Sequence, residues 1–316
     1  MRVSTRSVPV AGFVLAIGSA ASFALSGIFA SALISAGWSP GAAAAARITF
    51  AAIVLAGPTL VLLRGQWTRV WRAWKSILLF GVLAVAGCQL AFFLAVEYIP
   101  PSLALLIEFM GPVLLMMWLW ARSRVSPGAI TLVGAAIAVL GLVAVSFSGG
   151  GDVVGGLHPL GIAFALVAAV GNAAYYATSA TTTHGIAPLP FVGLGLAVAA
   201  VMLIVACGTG ALPFVATPGP VTIAGAQLSP VLAVAGMVLI STVMAYVLGV
   251  AAARRLGATV ASFTGYSEPL FGIFWTILLL SVIPTGMQWL GAALIVAGVI
   301  AVKFGELASY QRKQRE

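Results

Sequence analysis

Charge is what this sequence has least of. Fifteen Lys and Arg and six Asp and Glu make 7% of 316 residues, where an ordinary globular domain carries about 25%. A soluble fold needs several times as many to cover its surface, so a soluble enzyme is excluded. A mean hydropathy of +1.17 equally excludes a disordered chain. Cysteine and histidine are scarce too, with two of each. Cys88 and Cys207 lie in apolar stretches and read as free buried thiols rather than a disulfide. His158 and His184 fall at the ends of apolar runs, where a wetted loop residue is the ordinary explanation. No Walker loop, metal-spaced Cys/His cluster or Gly-x-Ser-x-Gly elbow is present, so neither cofactor nor metal is expected. Gly149-Gly150-Gly151-Asp152 lacks the spacing of a dinucleotide loop and reads as a flexible linker.

Long apolar runs fill the rest. A membrane crossing takes roughly 20 apolar residues, and ten such stretches can be drawn. They are Val10–Ala36, Pro40–Leu63, Ser76–Val96, Pro101–Trp120, Pro127–Phe147, His158–Ser179, Pro188–Cys207, Pro230–Ala252, Ala258–Ile283 and Thr285–Lys303. Arg2 and Arg6 before the first run imitate a signal peptide, but the run is too long for one, so an uncleaved first crossing is expected. With the N-terminus placed inside, fourteen of the fifteen Lys and Arg fall on the inner side, and Arg47 lies within a run. That is the positive-inside pattern, so the expectation is ten crossings with both termini cytoplasmic. The net charge of +9 is therefore a topology signal, not a nucleic-acid surface. Trp67, Trp71 and Trp74, interleaved with Arg64, Arg69, Arg72 and Lys75, read as an interfacial anchor at headgroup depth.

The chain also repeats. A shift of 157 residues places Pro112 on Pro269, Trp118 on Trp275, Pro127 on Pro284, Gly134 on Gly291 and Gly141 on Gly298. This divides it into residues 1–156 and 157–316, five crossings each. An odd number of crossings per half inserts the second half upside down. Inverted repeats of this kind carry a substrate site near the midplane. The expected fold is an all-α integral membrane protein of ten helices in two inverted five-helix repeats.

Three ionisable residues lie inside runs: Arg47, Glu108 and Glu268. A charge at the centre of a crossing costs about 2.5–3.5 kcal/mol, so such residues mark pathways or pairs. Arg47 and Glu108 each sit about 10 Å below the outer boundary and can pair; a structural ion pair is the alternative to a site. Pro112 offers no N–H to the carbonyl of Glu108, and Pro269 none to that of Gly265. Each half is thus expected to break a helix at an equivalent place, Gly111-Pro112 and Gly265 to Pro269, with a carboxylate beside each break. Plain kinks are the alternative; freed carbonyls with carboxylates suit a cation, an ammonium or a proton. Gln89, Phe92, Phe93, Asn172, Tyr175, Tyr176, Tyr246 and Tyr266 are further candidates, each also explicable as a helix–helix contact. Gly134, Gly141, Gly291 and Gly298 are expected to allow close helix packing.

Arg47 early in the second run, Glu97-Tyr98 closing the third, and prolines in the fourth and ninth resemble the EamA-type transporters of the drug/metabolite transporter superfamily, over nearly the whole chain. Leu106-Ile107-Glu108-Phe109-Met110-Gly111-Pro112 and Ser267-Glu268-Pro269 resemble segments of the bacterial threonine/homoserine exporters. The tryptophan common in the first and sixth crossings of such proteins is missing; Ser22-Phe23 and Gly171-Asn172 stand there. The resemblance implies ion-driven export of small metabolites, amino acids first, across the bacterial inner membrane. The expected partners are a small-molecule substrate, the lipid bilayer and a coupling proton. Drug or other metabolite efflux is the alternative, and a membrane-embedded enzyme a more distant one, since no nucleophile–base pair accompanies the buried charges.

Overall fold

The computed structural model describes residues 10–99, 101–124, 126–147, 158–181, 185–280, 283 and 285–313. Arg2, Arg6, the 149–152 stretch, His184, Pro284 and Arg315 lie outside the described residues. In chain order the helices are α1 (Val10–Ser35), α2 (Pro40–Leu62), α3 (Trp67–Leu78), α4 (Cys88–Val96), α5 (Pro101–Glu108), α6 (Gly111–Ser123) and α7 (Ala129–Phe147). Then follow α8 (Pro159–Ala180), α9 (Pro188–Gly208), α10 (Pro230–Val238), α11 (Ala245–Leu256), α12 (Ala258–Thr264), α13 (Ser267–Leu280) and α14 (Gly286–Lys313).

Local chemistry sets many boundaries. Pro40, Pro159, Pro188 and Pro230 open their helices, where a missing N–H leaves no bond unmade. Ser39 and Ser229 cap α2 and α10 by accepting from the backbone N–H of Ala42 and Leu232, at 3.2 and 3.3 Å. Gly257, at φ +84°, turns the chain from α11 into α12.

Eight helices are long and apolar enough to cross a membrane, and a shorter apolar helix covers Ala129–Ala144. The ninth expected run is two helices, α12 and α13. The third begins earlier than expected: Trp67–Val96 is one continuous 30-residue helix. No proline interrupts it, and Arg69, Arg72 and Lys75 lie within it, so the expected interfacial segment is its first three turns. Trp71 there is 80% exposed, consistent with headgroup contact.

Two features were not anticipated. The helix between α3 and α4 relaxes into π-turns over Leu79–Gly87, and that between α10 and α11 over Leu239–Met244. A 157-residue shift brings the first onto the second. In the second, the hydroxyls of Ser241 and Thr242 both donate to the Met237 carbonyl, at 2.8 and 2.9 Å, supplying bonds where the ladder loosens. The all-helical expectation also needs correction, because β1 (Val221–Ile223) and β2 (Ala226–Leu228) form an antiparallel hairpin. Its central residues Ala224 and Gly225 both have positive φ, 51° and 78°, as a tight I′ turn requires. Before the hairpin, the chain is tied to the α1–α2 turn by Trp38 Nε1 donating to the Thr217 carbonyl (2.9 Å) and Ser39 Oγ to that of Pro213 (2.7 Å).

The packing has two centres. One gathers Phe80, Phe191, Tyr175 and Tyr246, from α8, α9, α11 and the first π-segment. The other joins α5–α7 to α12 and α14 through Phe109, Leu142, Phe263, Tyr266 and Ile295. Here α7 and α14 approach backbone to backbone. A Cβ on Gly134 would lie 2.9 Å from the Gly298 carbonyl, and one on Gly141 would lie 2.7 Å from that of Gly291. The glycines thus do what the sequence implied. Ile53, Leu140 and Val201 are each more than 60% exposed on the outside of the bundle, a surface suited to lipid chains and not to water.

Candidate functional site

Between the helices lies a cavity of about 690 Å³, within the range of small-molecule sites. Arg47, Gln89, Phe92, Phe93, Glu108, Asn172, Tyr175, Tyr176, Tyr246, Glu268 and Pro269 all line it. Residues scattered over most of the chain therefore converge on one space. Tyr266, Gly111, Pro112 and Gly265 do not line it. Tyr266 is fully buried, edge-on to Phe109 and Phe263 at 6.3 and 5.4 Å. Sequence reasoning missed Phe23, Cys88, Phe109 and Met237 as lining residues. Cys88 lies one residue before Gln89, yet nothing in the sequence marks which carboxylate it meets.

The cavity extends to Ile34 and Pro40, at the end of α1 and the start of α2. It is therefore reached from the side opposite the basic Arg64–Lys75 segment. Its walls are chiefly alanine and aromatic, and aromatic rings gather deep inside. Phe23 meets Tyr246 edge-on at 4.9 Å, Tyr175 meets Tyr246 at 5.7 Å, and Tyr176 meets Tyr175 at 4.8 Å.

Arg47 is 9% exposed, and its Nε finds no hydrogen-bond partner. The direct ion pair with Glu108 that their similar depth allows is not made in this structure. Instead Glu108 Oε1 accepts from Cys88 Sγ at 3.4 Å. Glu268 accepts no side-chain hydrogen bond from the described residues. Arg47 nonetheless lines the same cavity as both carboxylates. Two side chains at similar depth need not touch where both face a cavity.

Both expected helix breaks are present, between α5 and α6 and between α12 and α13. The second differs in detail from expectation: the Gly265 carbonyl is not left open, because the Glu268 N–H donates to it at 2.9 Å. The glycines have a different use. A Cβ at Gly111 would lie 2.6 Å from Asn172 Oδ1, and one at Gly265 would collide with the Tyr176 hydroxyl. Asn172 and Tyr176 are four residues apart on α8, so one face of that helix presses a side chain against each break.

An EamA-like transporter family model matches residues 10–147 and again 159–304. The chain belongs to the EamA-like transporter family. This EamA-like chain is also similar to an uncharacterized inner membrane transporter, YicL, of Salmonella typhimurium (strain LT2), 26% identical over 227 residues, which are 72% of each protein. A crystal structure with 19% sequence identity superposes at a TM-score of 0.71, over 92% of this chain and 96% of its own, which fixes the fold alone. Family and architecture together make this a membrane transporter of small molecules. Its cavity brings together one cationic side chain, two carboxylates and an aromatic wall. No group of three or more His, Cys, Asp or Glu able to hold a metal occurs among the described residues.

Proposed function

We propose that this protein is an inner-membrane secondary exporter of zwitterionic amino acids, threonine- or homoserine-like ones included, working by proton-coupled alternating access. The observation that carries this reading is that Arg47, Glu108 and Glu268 face one cavity. A substrate carboxylate can meet the Arg47 guanidinium in a charge-assisted, bidentate contact. Its ammonium can meet Glu108 or Glu268, and its side chain the aromatic wall.

Ten crossings, in two inverted repeats of residues 1–156 and 157–316, fit the same evidence. The family model matches once in each half. The packing of α7 on α14 is reciprocal: Gly134 meets Gly298 as Gly141 meets Gly291, and the 157-residue shift turns one contact into the other. In this reading both termini are cytoplasmic and the cavity faces outward, the state that releases cargo. In a Cys88→Ala, Cys207→Ala background, impermeant labelling of Thr68→Cys from outside intact cells should then fail; ready labelling overturns this orientation.

Coupling follows from competition. When Glu108 meets the substrate ammonium it has no use for a proton; once the substrate has left, a proton can take its place. A proton then enters as an amino acid leaves, with rocking of the halves supplying access to each side. The decisive measurement is counterflow and efflux from proteoliposomes loaded with each of a panel of amino acids. An inward proton gradient should accelerate efflux of the true substrate, and whatever efflux remains in Glu108→Gln should no longer respond to the gradient. Efflux indifferent to the gradient would end the proton reading; no counterflow with any amino acid would end the substrate reading. Drug or other metabolite efflux is the second reading, supported by about 690 Å³ of largely apolar space, more than a small hydroxyl amino acid fills.

A further inference from the structure

Directly inward of the main cavity lies a second, much smaller chamber of about 20 Å³, room for about one water. Ser19, Gly249, Ala252, Ala261 and Gly265 line it. Ser19 lies in the first half of α1, Ala252 two residues before Arg254 on α11, and Ala261 in the first turn of α12, while Gly249 and Gly265 lie deeper, towards the main cavity. Four residues line both spaces: Phe23, Tyr175, Tyr176 and Glu268. They are the partition between the chambers. Three of the four are aromatic, and the fourth is a carboxylate.

The partition is closed by two tyrosine hydroxyls resting on glycines. A Cβ at Gly249 would collide with the Tyr175 hydroxyl, and one at Gly265 with that of Tyr176. Depth separates the two carboxylates. Glu108 is the eighth residue of α5, counted from the open end, so it lies about 10 Å in. Glu268 comes ten residues after the start of α12 at the other end, about 15 Å in, near the middle of a core about 30 Å thick. Glu108 lines only the outer cavity.

We infer that the small chamber is the closed inner entrance of the same route, and that Glu268 is the carboxylate exposed to the outer cavity and to the inner entrance in turn. Cargo arriving from the basic side meets Glu268 first, passes the tyrosine pair, and reaches Glu108 and Arg47 beyond it. The inference rests on alternating access as proposed above, and on neither the amino-acid substrate nor the proton.

Side-specific thiol labelling tests it in reconstituted full-length protein carrying Cys88→Ala and Cys207→Ala. The probe is an impermeant trimethylammonium methanethiosulfonate added to one face at a time. Glu268→Cys should react from both faces. Gly272→Cys, where an added Cβ meets nothing within 4 Å on the outer cavity wall, should react at least about tenfold faster from the outer face. Ala252→Cys should show the reverse preference. A cysteine at 268 that reacts from the outer face alone overturns the inference. So does one at 252 that reacts faster from the outer face, which keeps the test decisive if Glu268→Cys fails to insert. If the two-sided pattern appears while amino-acid counterflow is absent, the substrate reading falls and this assignment stands.

Discussion

The two helix breaks use the same parts in opposite order. The first reads Glu108-Phe109-Met110-Gly111-Pro112 and the second Gly265-Tyr266-Ser267-Glu268-Pro269. At equivalent positions, glutamate and glycine have changed places. In each break the glycine admits a side chain from α8 and the glutamate lines the cavity. The exchange has structural consequences. Glu108 ends the helix before its break, and Glu268 stands in the first turn of the helix after its own. Glu108 has a thiol neighbour and Glu268 none among the described residues. The repeat thus preserves the break while giving each carboxylate its own depth and company. Phe109 and Tyr266, which the shift superposes, meet edge-on at 6.3 Å, so the breaks are also in direct contact.

The largest effect is expected from removing charge from the cavity at and opposite the first break. Arg47→Ala and Glu108→Ala should each lower counterflow about 100-fold or more, since each deletes a charged contact to cargo and leaves an unbalanced charge in a low-dielectric space. Arg47 does not touch Glu108, so their coupling runs through the cavity and its occupant. The double variant should be no worse than the poorer single. Losses that multiply would show that the two act independently, and the comparison of breaks would lose its electrostatic half.

An intermediate effect is expected at the glycines. Gly111→Ala and Gly265→Ala should each destabilise the protein by about 1–3 kcal/mol, the usual range for overpacking, read as thermal unfolding in detergent. Rescue should be specific. Tyr176→Phe removes the hydroxyl that meets Gly265 and should restore Gly265→Ala but not Gly111→Ala. Asn172→Ala should do the opposite. Cross-rescue would mean that α8 responds as one body, not as two separate contacts.

These contacts mark where sequence reading stopped. The helices were legible because apolar runs and opening prolines are local signals, and the breaks because Pro112 and Pro269 sit at one offset. Arg47, Glu108 and Glu268 stood out because charge is rare in such runs. The hairpin had a signal that went unread: β-branched Val221-Thr222-Ile223 before an Ala-Gly turn. The π-segments have no comparable mark in composition. What each glycine faces was illegible for a different reason. Gly265 and Tyr176 are 89 positions apart, and only folding decides that they meet. The same holds for Cys88, which lies on α4 and meets a carboxylate on α5.

The smallest effect concerns that thiol, the clearest asymmetry between the breaks. Cys88 Sγ lies 3.4 Å from Glu108 Oε1 and also from the Ala168 carbonyl, within reach of two acceptors. A thiol is a weak donor, so Cys88→Ala should change counterflow only a few-fold, and Cys88→Ser, whose hydroxyl donates more strongly, less. The informative readout is protection. Cys88 lines the cavity beside Glu108, while Cys207 does not line it. Cargo whose ammonium sits on Glu108 should therefore slow alkylation of Cys88 by N-ethylmaleimide several-fold and leave Cys207 unaffected. Glu108→Gln should remove the protection, because the thiol would no longer sit beside an occupied carboxylate. Glu268→Gln should reduce it less, since no thiol neighbours that carboxylate among the described residues. Equal loss from the two variants would mean that cargo bridges both carboxylates at once, and the order of passage from Glu268 to Glu108 would have to be abandoned.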